Sequence, residues 1–217
     1  MVSRTRIKIC GMTERTEVAH AVLAGIDALG FIFVKKSPRY IDPEQAREVI
    51  SLIPPFVDTV GVFMDEDPDL VNEIGQYCGL TILQLHGNES PEYCRNFHFR
   101  ILKAFQVTSD MTPETLTPYQ DVVSGFLLDT YHKDKGGGTG ETFDWSLVDK
   151  LQPGKPFVLA GGLTVDNVGE AICKVRPFAV DVNSGIEKEP GRKDTALISK
   201  LVDEVRKADQ QRSNSAL

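Results

Sequence analysis

Residues 156–185 read PFVLAGGLTVDNVGEAICKVRPFAVDVNSG. Two short apolar runs, Pro156–Gly161 and Pro177–Val182, flank a longer amphipathic one. Parallel strands need such a crossover, because a tight turn can join only antiparallel neighbours. Each apolar run ends in a polar, glycine-containing turn: Gly161-Gly162 in the first case, Asp181-Val182-Asn183-Ser184-Gly185 in the second. In barrels of alternating strands and helices, the loops after the seventh and eighth strands are where phosphate groups are commonly held.

Working outward, six more strand patterns precede this pair: Ile7–Cys10, Ala28–Phe33, Asp58–Phe63, Thr81–His86, Ile101–Val107 and Gly125–Thr130. Helical patterns lie between and after them. The second helix is announced by Asp42-Pro43-Glu44-Gln45, with Asp42 as cap, Pro43 at the first helical position and Gln45 able to reach back. The last carries Leu197, Ile198, Leu201, Val202 and Val205 as an apolar stripe. Eight strand–helix units in 217 residues fill a small barrel and leave little room for a second domain. A doubly wound open sheet is the alternative, but no GxGxxG follows the first strand. The expectation is α/β: one (β/α)8 TIM barrel over residues 1–208, with residues 209–217 as a frayed tail.

Composition narrows the function. The chain is 41% hydrophobic and 25% charged, as an ordinary globular domain is. No run approaches the roughly 18 uncharged apolar residues of a membrane span, and Met1–Lys8 contains no signal-peptide hydrophobic region. A cytoplasmic protein with no membrane partner is expected. Cys10, Cys78, Cys94 and Cys173 are scattered without a CxxC pair, which argues against a zinc site or a disulfide framework. A formal charge of −7 with no basic run argues against nucleic acid as a partner, so any anionic ligand must be held by local groups. Monomer and homodimer both remain open.

The active site of such a barrel sits at the C-terminal ends of its strands. A cysteine on a buried strand is usually a small hydrophobe. Cys10 instead ends its strand, before Gly11 and before Thr13 as a helix cap, so its thiol faces the mouth. An ordinary thiol, with pKa about 8.5, is only slightly ionised at neutral pH; a site that uses it as a base must help to deprotonate it. Asp129 closes an uncharged run and reads either as a turn cap or as a partly desolvated carboxyl kept protonated. Arg39, between Pro38 and Tyr40, is either loop decoration or a stiffened fork for a carboxylate. His86 fits a base, a substrate contact or a satisfied core residue, with no HxxH-like partner for a metal. Asp181 is evenly balanced between a layer residue and a functional one. Gly161, Gly162, Ser184 and Gly185 fit a phosphate cradle of backbone amides beside a helix N-terminus, against the plainer reading as tight turns. Gly136–Gly138 and Gly140 suggest a mobile loop over the substrate.

In this order, KICGMT (8–13), GFIFVKKSPRYI (30–41), LQLHG (83–87), LLDT (127–130), GGTGETFDW (137–145), LAGGL (159–163) and RPFAVDVNSGIE (176–187) resemble the phosphoribosylanthranilate isomerase family across nearly the whole chain. The resemblance implies Cys10 as general base, Asp129 as general acid and Arg39 as the binder of the anthranilate carboxylate. Two departures stand out: Asn183 where the family often has serine, and Glu141 where lysine is common. Tyr131–Lys135 is assigned no role.

The implied reaction is an Amadori rearrangement of a phosphorylated ribosylamine, which needs proton transfers but no cofactor or metal. Asp129 would protonate the furanose oxygen and open the ring to an iminium ion, and Cys10 would remove the acidified C2 proton. The histidine-pathway isomerase resembles a barrel with aspartate at the end of strand one, where this chain has Cys10. Indole-glycerol-phosphate synthase would show a lysine acid and an N-terminal extension. A non-catalytic sensor of phosphorylated sugars would need the glycine loops but neither Cys10 nor Asp129.

Overall fold

A computed structural model describes residues 4–130 and 145–214. Its strands are β1 (Arg6–Ile9), β2 (Ala28–Ile32), β3 (Asp58–Phe63), β4 (Ile82–Leu85), β5 (Arg100–Gln106), β6 (Gly125–Asp129), β7 (Phe157–Ala160) and β8 (Ala179–Val182), followed by a two-stranded ribbon, β9 (Glu187–Glu189) and β10 (Arg192–Lys193). The helices are α1 (Arg15–Ala24), α2 (Pro43–Ile50), α3 (Pro68–Cys78), α4 (Pro91–Cys94), α5 (Pro113–Leu116), α6 (Ser146–Leu151), α7 (Val168–Val175) and α8 (Thr195–Asn214). Every expected strand is present, with ends shifted by no more than two residues.

The strands β1 to β8 form a closed barrel in chain order. β1 pairs in parallel with β8, setting Lys8 opposite Asp181 and Ile9 opposite Val182. Successive side chains of a strand point to opposite faces, so parity decides what enters the lumen. Phe126, Leu128, Val180 and Val182 belong to the large apolar core under the helices. Their neighbours Leu127 and Ala179 pack inside the barrel instead. Asp129 and Asp181 share the parity of those inward residues, and Lys8 and Cys10 share one face of β1.

Local chemistry starts the helices. Asp42 accepts a hydrogen bond from the Glu44 N–H at 2.9 Å with Pro43 opening α2, and Asp67 and Ser90 cap α3 and α4 in the same way. Thr13 does not cap α1. That helix begins after Glu14 with no side-chain cap, and the Thr13 hydroxyl donates to the Gly191 carbonyl at 3.0 Å.

Two features lie near the end of the chain. Between β8 and α8 lies the β9–β10 ribbon, and Asp194 then caps α8 through the Ala196 N–H at 2.8 Å. α8 runs on to Asn214, and Asp209 takes hydrogen bonds from the Thr5 N–H and hydroxyl, each at 2.7 Å. The glycine loop Gly136–Gly138 and Gly140, with Glu141 and Tyr131–Lys135, lies outside the described residues. Among the described residues, no helix is long and apolar enough to cross a membrane.

Candidate active site

One cavity of about 480 Å³ opens at the C-terminal ends of the strands. Ligand pockets for small molecules commonly span about 300–1,000 Å³. Its wall brings together Cys10, Arg39, His86, Asp129, Asp181, Gly161, Gly162 and Ser184. Gly185 is not on that wall. A Cβ there would lie 1.9 Å from the Leu163 carbonyl oxygen, and Gly185 bridges to Thr164. Its bare backbone lets the loops after β7 and β8 touch.

Cys10 lies just past β1, buried against Ile32 and Val62. Burial pushes its thiol above the ordinary value; the Lys8 ammonium opposes this and Asp181 adds to it. Lys8 and Cys10 meet over β2: a Cβ on Gly30 would sit 2.9 Å from Cys10 Sγ and 3.1 Å from Lys8 Nζ. Lys8 Nζ also donates to Asp181 Oδ2 at 2.8 Å, with both side chains buried. Burial alone would lower the Lys8 pKa, but Asp181 and Cys10 carry it above its ordinary value, so the ammonium persists beside the thiol.

The second cluster lies across the mouth. Gln84 Nε2 is 2.9 Å from His86 Nδ1. With the amide nitrogen as donor, Nδ1 is the acceptor and Nε2 is the ring nitrogen that carries a proton. That nitrogen is 3.6 Å from Asp129 Oδ2, close but beyond a hydrogen bond. On the floor, Gln84 Oε1 and Asp181 Oδ1 are buried acceptors without a hydrogen-bond partner among the described residues. Buried polar atoms are rarely left so, and both residues line the cavity.

The Arg39 stem crosses Gly11, where a Cβ would meet Arg39 Cδ at 2.8 Å. Its guanidinium is gripped by Glu187: Nε donates to Oε1 at 2.8 Å and Nη2 to Oε2 at 2.7 Å. The Gly161-Gly162 turn is pinned by Asn167, which donates to the Gly162 carbonyl at 3.0 Å and accepts from the Thr164 N–H at 2.8 Å. Asn167 immediately precedes α7, so the pinned turn leads into that helix's N-terminus.

Sequence reasoning missed Lys8, Gln84, Glu187 and Lys193. Lys8 and Gln84 had a signal: each is polar within a short apolar strand, two residues before a mouth residue. Glu187 and Lys193 had none, since both sit in a charged stretch that reads as a solvated loop. A second cavity, of about 600 Å³, shares His86 and Asp129 on the side of β4 to β6. Another, of about 330 Å³, lies at the opposite end of the barrel, lined largely by apolar side chains with Arg6 and Arg100. It is remote from the strand ends that carry Cys10 and Asp129.

A family profile described as N-(5'phosphoribosyl)anthranilate (PRA) isomerase matches residues 7–204. The chain is 47% identical over 204 residues to the N-(5'-phosphoribosyl)anthranilate isomerase of Trichlorobacter lovleyi, covering 94% of this chain and 98% of that one. It is similar to the crystal structure of phosphoribosyl anthranilate isomerase from Thermotoga maritima, with a TM-score of 0.85, 41% identity and coverage of 94% and 99%. A further isomerase structure, in complex with reduced 1-(o-carboxyphenylamino)-1-deoxyribulose 5-phosphate, aligns with a TM-score of 0.82, 39% identity and coverage of 94% and 99%. With its barrel and nearly its whole length matched, the chain belongs to the N-(5'-phosphoribosyl)anthranilate isomerase family.

Proposed function

We propose that the cavity at the strand ends is where this chain converts N-(5-phosphoribosyl)anthranilate into 1-(2-carboxyphenylamino)-1-deoxyribulose 5-phosphate, an Amadori rearrangement in tryptophan biosynthesis. The observation that carries the assignment of roles is the convergence on one wall of Cys10, Asp129, Arg39 and the glycine turns. Asp129 protonates the ring oxygen, the C1–O bond breaks, and the nitrogen lone pair forms the iminium ion. Cys10, as thiolate, takes the C2 proton, and those electrons neutralise the iminium to give an enolamine. Tautomerisation then yields the ketone.

The thiol's raised pKa fits this order of events. A buried thiolate is costly alone, but the iminium ion brings a positive charge beside it when it is needed, and Lys8 supplies another permanently. His86, its tautomer set by Gln84, turns an N–H towards Asp129 and orients the acid. Arg39 binds the anthranilate carboxylate. The unpartnered Asp181 Oδ1 and Gln84 Oε1 are acceptors for sugar hydroxyls. Gly161, Gly162 and Ser184 hold the phosphate through main-chain N–H groups and the serine hydroxyl, and Gly185 keeps their two loops in contact. The cytoplasm, where biosynthetic intermediates are exchanged, is the compartment this role fits.

Mixing the protein with freshly made phosphoribosylanthranilate and following the loss of its fluorescence tests the reading. Wild-type turnover is expected. Asp129→Asn should stall on the closed ring yet be rescued by a ring-opened analogue, and equal impairment with both forms would remove Asp129 as the acid.

A further inference from the structure

The β9–β10 ribbon is the least expected part of the fold, and its two buried charged residues point at the site. Glu187 fills one edge of the Arg39 guanidinium with two short hydrogen bonds. Its Oε1 also accepts from Lys193 Nζ at 2.7 Å. Lys193 is fully buried, and its ammonium makes two further bonds, to the Asn183 carbonyl at 3.1 Å and Asn183 Oδ1 at 2.7 Å. Three bonds use all three ammonium donors, so Lys193 has none left for a ligand. Asn183 and Arg39 both line the cavity and both pack over Gly11.

We propose that Glu187 and Lys193 are positioning residues that fix the Arg39 guanidinium and tie it, through Asn183, to the loop after β8. This rests on the reading of Arg39 as the carboxylate binder. Two of five guanidinium N–H donors face Glu187, and Arg39 itself lines the cavity. The substrate carries an anion at each end, the aromatic carboxylate and the phosphate. Through the chain Arg39–Glu187–Lys193–Asn183, the group that receives one anion is held at a set distance from the loop that receives the other. The ribbon thus acts as a spacer between the two anion subsites.

Charge alone makes the opposite prediction, which makes the proposal testable. Glu187 offsets the positive charge of Arg39 and Lys193, so neutralising it should tighten anion binding if its only effect were electrostatic. If it positions Arg39, neutralising it should weaken binding of the carboxylate end. The reduced product analogue carries both ends and inorganic phosphate only one, so inhibition constants for the two probes separate the subsites. Glu187→Gln should weaken the analogue by about tenfold or more, the scale of a displaced charge-assisted pair, leave inorganic phosphate unchanged, and raise KM more than it lowers kcat. Arg39→Met should weaken the analogue at least as much, and the double variant should be no worse than Arg39→Met alone. Lys193→Met should weaken both probes.

Unchanged or tighter analogue binding by Glu187→Gln, with Arg39→Met impaired, would overturn the positioning role and leave Arg39 as the carboxylate binder. An unimpaired Arg39→Met would overturn that reading, and the proposal with it. Because Glu187→Gln keeps the side chain's shape while replacing one acceptor oxygen by an amide donor, it decides the matter even if Lys193→Met does not fold.

Discussion

Cys10 has conflicting duties: it must be buried enough to meet substrate away from water, yet ionised when the C2 proton is taken. Burial dominates and raises its pKa, while Lys8 limits the rise. The sign of the pH dependence follows. The working form is the thiolate, so kcat/KM of the free enzyme should climb with pH through a value above that of an ordinary thiol. Lys8→Met removes the opposing ammonium and should move the limb higher still. Iodoacetamide labelling of Cys10, mapped by mass spectrometry against pH, reads the same ionisation without turnover. Cys78 and Cys94, pushed by burial up to about 11, should label late. A Cys10 midpoint at or below the ordinary thiol value, or one unmoved in Lys8→Met, contradicts this account. Cys10→Ala should lower kcat by about 10²- to 10⁴-fold, the usual weight of a general base, while analogue affinity stays nearly intact. A loss smaller than about tenfold would take Cys10 out of the proton transfer.

The loops after β7 and β8 divide the work of holding the phosphate between conformation and contact. Gly162 adopts φ +64°, and a Cβ there would meet nothing within 4 Å. Gly185 has no such room, its neighbour being the Leu163 carbonyl at 1.9 Å. Valine at Gly185 should therefore force the two loops apart, raising KM and lowering Tm together. Valine at Gly162 should raise KM with a smaller stability cost, on the order of the 1–2 kcal/mol of a left-handed non-glycine residue. Lys188 is exposed, and Arg192 is turned away to Glu14 at 2.8 Å; their alanine variants should change KM and phosphate inhibition much less. Greater losses in those two would replace the amide cradle with a side-chain clamp. The glycines and the strand ends were legible because each obeys a local rule: an apolar run, a breaker, a position in the barrel. The ribbon was not, because Glu187, Lys188, Glu189, Arg192 and Lys193 lack strand propensity, and only the tertiary contacts of Glu187 and Lys193 with Arg39 and Asn183 show why two of those charges are buried.

At the scale of the molecule, the closed barrel was readable from its eight strand–helix units, but the pairing at its seam was not, since no local pattern shows which residues meet between first and last strands. Lys8 and Asp181 meet there in the lumen. Outside it, α8 packs on both α1 and α7, its buried stripe running from Ile198 to Ala208. The residues beyond that stripe read as a polar tail because Asp209 is followed by Gln210, Gln211 and Arg212, yet Asp209 joins the two ends of the fold. It accepts from the N–H and hydroxyl of Thr5, a residue 2% exposed at the entry to β1. Removing that carboxylate leaves the Thr5 N–H and hydroxyl proton without an acceptor, while Arg212 Nη1 still donates to the hydroxyl oxygen at 3.3 Å, a loss of about 2 kcal/mol. For a domain of this size that corresponds to a fall in Tm of roughly 4–8 °C. Asp209→Ala should show it in thermal unfolding, while kcat and KM at moderate temperature stay at wild-type values, because Thr5 lies at the end of the barrel away from the mouth. Asp209→Asn, which keeps one acceptor, should lose less. A Tm for Asp209→Ala indistinguishable from wild type would mean that the clasp contributes nothing and that the fold closes through the β1–β8 ladder and the α8 stripe alone.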